Sequence, residues 1–162
     1  MDKKDILVHG WEYAFDVEDW YPPIKAALQD VDFTEAVWKP TGKATHTIAE
    51  LVTHLLYYKE RFLVRLKGQE WKIPITNNDE SFHTTDVGTA EAWKAAVDKL
   101  FSVQKEIKSI LVTMDEAGLQ KEIEKIPVER QILSLMMHDA YHTGQIILIR
   151  KLYGSWPEKR DV

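Results

Sequence analysis

The chain contains no cysteine. That excludes a thiolate metal site, a cysteine nucleophile and a disulfide framework. It has no excess of positive charge either. Lysine and arginine number 21 against 26 aspartates and glutamates, a formal net charge of −5, so electrostatics give no reason to expect a nucleic-acid partner. No stretch approaches the roughly 18 apolar residues of a transmembrane helix. The opening Met1-Asp2-Lys3-Lys4-Asp5-Ile6-Leu7-Val8-His9-Gly10 lacks the long apolar core of a secretory signal, and a cytoplasmic protein is the expectation. Six tryptophans are many for 162 residues; side chains of that size fill cores, pockets and subunit contacts. With 44% apolar and 29% charged residues, a single folded domain over 1–162 with a real core is expected.

Hydrophobic periodicity predicts helices and no convincing strand pairs. Pro22 and Pro23 suit only the first turn of a helix; with Asp19 as N-cap they place a first helix at about 20–30, and an earlier turn is expected over 5–15. The segment 32–46 carries Pro40-Thr41-Gly42 and reads as a connection. Thr47 and Glu50 have the spacing of a capping box. Behind them Leu51, Leu55, Phe62 and Leu66 recur at helical spacing up to Gly68, which predicts a helix over 48–67. Residues 69–88 show no period and read as a long loop, a length often used for lids and binding segments. A third helix is predicted from Thr89 to about Ala117, before Gly118. A fourth covers about 128–153 and ends at Gly154. The fourth is apolar around much of its circumference, so it is buried on more than one side, centrally or at a subunit interface. The economical fold is all-α, a four-helix bundle without internal repeats.

His138 and His142 lie four residues apart in the fourth helix. Four steps of about 100° bring the second imidazole to within roughly 40° of the first, one turn above it. Two imidazoles so placed can share one metal ion. Their neighbours Leu135, Met136, Met137, Ala140, Tyr141, Ile146 and Ile147 are apolar, so the pair does not sit on a solvated face. Buried imidazoles need partners for both nitrogens: a metal meets one, and an outer acceptor can meet the other. A third ligand must come from another helix. His54 lies on the apolar side of the second helix, where a lone histidine is more often a packed core residue. It remains a candidate because the pair needs a partner. His9, His46 and His83 are weaker candidates. His46 reads as a loop residue before the cap; His83 could swing over the site, though solvation explains it better.

The run Ile48-Ala49-Glu50-Leu51-Val52-Thr53-His54-Leu55, followed by His138-Asp139-Ala140-Tyr141-His142-Thr143-Gly144-Gln145-Ile146, resembles the DinB/YfiT-like superfamily. Trp20-Tyr21-Pro22-Pro23, Ala36-Val37-Trp38-Lys39-Pro40 and Arg65-Leu66-Lys67-Gly68 resemble further recurrent segments, so the likeness spans nearly the whole chain. The resemblance implies a bundle of up-down-down-up course, commonly a homodimer. It also implies a three-histidine site for one divalent metal ion, zinc or nickel foremost, at His54, His138 and His142. Some relatives are transferases or isomerases that use low-molecular-weight thiols such as bacillithiol or mycothiol, and others are described as metal-dependent hydrolases.

Beside a purely structural dimeric bundle whose histidines are packed or water-bridged, two classes of function follow. The first is a metal-dependent enzyme on a small molecule, either a hydrolase or a thiol transferase, in which the ion lowers the pKa of a water or an external thiol. The second is a metal- or small-molecule-binding stress protein without turnover. For the enzyme, Glu50 is a candidate base or outer acceptor, although its capping role explains it equally well. Gln145 is a candidate partner for a water or a ligand histidine, and Tyr58 a candidate pocket wall.

Overall fold

The computed structural model describes residues 2–159. In chain order its helices and strands are α1 (Lys3–Phe15), α2 (Ile24–Ala27), α3 (Phe33–Ala36), α4 (Ile48–Leu66), α5 (Ala90–Thr113), α6 (Glu116–Gln120), β1 (Glu122–Ile123), β2 (Ile126–Pro127) and α7 (Val128–Tyr153), with a 3₁₀ turn at Asn78–His83 between α4 and α5. The fold is mostly helical, as expected. Helix α4 packs on α5 and on α7, and α1 touches the same two helices from the other side. The four long helices thereby enclose one apolar core, in which Trp11, Ile48, Leu55, Leu100, Ile107 and Ile132 are fully buried. Among the described residues no helix is long and apolar enough to cross a membrane.

The capping box of Thr47 and Glu50 forms: each side chain binds the other's backbone N–H, at 3.0 and 2.9 Å. Beyond α4, Gly68 adopts φ 73°, the left-handed conformation that ends a helix cheaply only at glycine. At the far end of α7, Gly154 does the same at φ 93°.

Three expectations are corrected. The first long helix is Lys3–Phe15, started by a capping box between Asp2 and Asp5, where the sequence predicts only an early turn over 5–15, and within 20–30 only the single turn of α2 forms. Pro23 sits extended ahead of a single turn, and Asp30 at φ 58° breaks the chain out of it; proline also biases the residue before it away from helix. Asp19 therefore caps nothing. The third helix stops at Thr113 rather than near Ala117, because Met114 is extended and Asp115 caps a new short helix through the Gly118 N–H at 2.8 Å. Finally, β1 and β2 pair as a two-stranded antiparallel hairpin that periodicity did not reveal.

Candidate metal centre

Helix α4 directs His54 inward from its apolar stripe, and α7 presents His138 and His142 one turn apart. His54 and His142 are 3% and 5% exposed, and His138 is half-buried. The three Nε2 atoms converge: His54 Nε2 lies 2.9 Å from His138 Nε2, which lies 3.0 Å from His142 Nε2. The expected trio is therefore brought together.

The outer nitrogens decide what this convergence means. His54 Nδ1 is 2.6 Å from Ser81 Oγ, and that hydroxyl donates its own proton to the Asn78 carbonyl. Ser81 must then accept, so His54 carries its proton on Nδ1 and a lone pair on Nε2. His142 Nδ1 is 2.6 Å from Gln145 Oε1 and likewise donates outward. Two lone pairs thus face the third imidazole. A proton on His138 Nε2 can point at only one of them at a time, whereas a divalent cation faces all three. The donor set fits a metal: three neutral imidazoles, each able to give one nitrogen, two of them oriented by outer hydrogen bonds.

Electrostatics keep the rings neutral. Burial, then the neighbouring His138, His142 and His46, push the His54 pKa down to about 3. Burial, His142 and the Lys59 ammonium push His138 down to about 4. Burial also lowers His142, opposed by its bond to Gln145. Neutral imidazole is the form that ligates.

Tyr58 packs its ring against His54 and His138, at centroid distances of 5.0 and 5.5 Å, and donates its hydroxyl to Asn78 Oδ1. It borders a cavity of about 550 Å³ that reaches His138. Gln145 orients His142 and donates to the Tyr141 hydroxyl at 3.3 Å. Glu50 is placed differently. Its carboxylate caps α4 and lies 3.3 Å from His46 Nδ1, and among the described residues it makes no hydrogen bond to the three imidazoles. His83 and His9 are exposed. His46 is a loop residue, yet its ring stacks on Phe82 at 3.8 Å, and Phe82 stacks on His54 at 4.1 Å.

Sequence reasoning missed Ser81 and Phe82, both buried by the 3₁₀ turn against α4. It also missed Lys59. That side chain is fully buried and bonds Asp139 Oδ2 at 2.6 Å and Gln104 Oε1 at 2.7 Å, with its ammonium over the Trp11 ring at 4.4 Å. A lysine on the apolar stripe of α4 and an aspartate inside an apolar helix were the available signals.

A model of the DinB superfamily matches residues 24–146. Comparison with curated proteins and with solved structures finds no significant match. All three histidines, Ser81, Gln145 and most of the core lie within the matched span, and the chain belongs to the DinB superfamily.

Proposed function

We propose that the protein is a metal-dependent enzyme acting on a small molecule, with one divalent ion held by His54, His138 and His142. The observation that carries this is the pair of outward-donating imidazoles whose free Nε2 lone pairs meet at a third, beside an open cavity. A bound zinc or nickel ion would supply Lewis acidity, lowering the pKa of a water or thiol to near neutrality.

The chain's own residues divide the remaining work. Ser81 and Gln145 hold the tautomers of His54 and His142. Phe82 and Tyr58 shield the buried rings from water, and the Tyr58 hydroxyl ties the 3₁₀ turn to α4. Among the described residues no carboxylate hydrogen-bonds to the imidazoles, and Asp139 is engaged by Lys59. Hydrolysis would need a base to take a proton from water. An external thiol, with a far lower intrinsic pKa of about 8.5, needs less help. We therefore favour the thiol-transferase form over the hydrolase.

Elemental analysis of untagged protein tests the metal: about one ion per chain is expected in the wild type and none in His142→Ala. Substoichiometric metal that His142→Ala leaves unchanged would sink the proposal. Turnover panels of thiols with electrophiles, and of esters and amides, then separate the forms. Bound metal without metal-dependent turnover leaves a non-catalytic binding protein.

We also take the protein to be a homodimer of up-down-down-up bundles. The long link between α4 and α5 suits that course. Leu133, Met137, Tyr141, Leu148 and Leu152 form an exposed apolar stripe along α7 at helical spacing. Sedimentation of Met137→Glu/Leu148→Glu beside the wild type checks this; a wild type that is already monomeric refutes it.

A further inference from the structure

The cavity beside His138 does not end at the histidines. It follows the groove between α4 and α7, floored by Tyr58 and Leu135, and is closed at its far end by the β1–β2 hairpin. Three arginines line it: Arg61 and Arg65 from α4, both bonded to Glu124 of the hairpin, and Arg130 from the first turn of α7. Tyr58, Arg61 and Arg65 follow one another at helical spacing on one face, and the rise from Tyr58 to Arg65 is about 10 Å. The groove therefore runs from aromatic walls at the imidazoles to a cationic end a small molecule's length away.

One carboxylate meets two of these three cations. Glu124 bridges Arg61, at 3.2 Å, and Arg65, whereas Arg130 has no ion-pair partner among the described residues. The backbone beneath Glu124 is unusual. Glu124 and Lys125 sit at φ 53° and 66°, the two left-handed positions of a tight hairpin turn for which Asn-Gly is the unstrained choice. A chain built for the turn alone would carry those residues. Glutamate there supplies an anion that holds Arg61 and Arg65 over the groove. Glu124 is half-exposed, and exposed ion pairs contribute little, so an incoming anion can displace it at small cost.

We propose that this groove is the substrate subsite and that it selects small organic anions, carboxylates or phosphate monoesters. Arg130 and Arg61 anchor the anionic end, Tyr58 and Leu135 flank the body, and the opposite end lies at His138. Guanidinium groups suit this task because their planar fork matches both oxyanions with two parallel hydrogen bonds. The orientation rests on the metal-centre reading above; the anion selectivity does not.

The test uses full-length protein, as purified and again after removal of metal by chelation, titrated calorimetrically with 4-phenylbutanoate, its neutral amide and 2-phenylethyl phosphate. Either anion is expected to bind about tenfold or more tightly than the amide, the difference made by charge-assisted hydrogen bonds. Arg61→Gln/Arg130→Gln should abolish that preference, and Glu124→Gln should raise the affinity for the anions about threefold by removing their competitor. The variants lie at a surface groove, and unchanged melting temperatures verify their folding. The tighter of the two anions identifies the head group. Equal binding of acid and amide, a preference that survives the double arginine variant, or no binding at millimolar concentration overturns the proposal. Arginine-dependent binding together with elemental analysis that finds no metal in the protein as purified would instead leave the subsite standing and remove the metal reading.

Discussion

Two buried polar clusters bridge the same pair of helices, and they are built on opposite rules. His54 and Lys59 come from α4; His138, His142 and Asp139 come from α7. In the lysine cluster donors meet acceptors: the ammonium has the carboxylate, the Gln104 carbonyl and the Trp11 face around it. Burial lowers the Lys59 pKa and raises that of Asp139, and their 2.6 Å contact opposes both shifts. In the histidine cluster lone pairs meet lone pairs, and one side opens to a cavity. The first cluster is nearly closed upon itself, with only Asp139 Oδ1 lacking a hydrogen bond among the described residues. A cation bound between the three Nε2 atoms would complete the second. Burial alone does not distinguish the two clusters; the balance of donors and acceptors does.

The contrast can be broken most severely at Lys59. Lys59→Met leaves Asp139 buried without its partner and should cost about 3–5 kcal/mol, read by urea unfolding. Lys59→Met/Asp139→Leu should recover most of that loss. A cost below about 1 kcal/mol for the single variant would show that the lysine cluster is not closed in the sense argued.

A smaller effect is expected at the outer partners of the imidazoles. Ser81→Ala and Gln145→Ala should each weaken metal binding by about 10–100-fold, measured by competition with a chromophoric chelator. Unchanged affinity in both would mean that the tautomers are not held from outside.

The smallest effect is on pH dependence. In metal-free protein His54 and His138 stay neutral until about pH 3 and 4, while the unfolded chain takes up protons below about pH 6.5. Their folded pKa values are depressed, so the associated stability is present above pH 6.5 and is lost as pH falls toward 4. Between pH 7 and 5 the melting temperature of chelated wild type should fall further than that of His138→Gln/His142→Gln. Parallel curves would contradict the assigned burial of the pair.

Legibility in the sequence followed locality. Helix α4 could be placed from Thr47, Glu50, its apolar spacing and Gly68, because capping and periodicity are short-range. The His138–His142 pair was equally readable, since four residues on a helix are neighbours whatever surrounds them. His54 needed the family resemblance, for nothing near it in sequence says that α7 lies opposite. Ser81 and Phe82 were hidden because a 3₁₀ turn inside an aperiodic loop has no pattern; only the folded chain brings them to His54. The hairpin escaped notice because each strand has two residues and its turn carries Glu-Lys instead of Asn-Gly. The α1 error came from resting the first helix on two prolines, while the Asp2–Asp5 capping box went unread.

The bond between Ser81 and His54 has a consequence for how such a site can change. The bundle sets where the three imidazoles meet, but the electron density on one of them is set by a hydroxyl on an otherwise largely exposed connection. Positioning and tuning are thus written in separate stretches of the chain. A replacement at Ser81 can make His54 a stronger or weaker donor without repacking a single core helix, so one scaffold can carry differently tuned imidazoles by editing a loop.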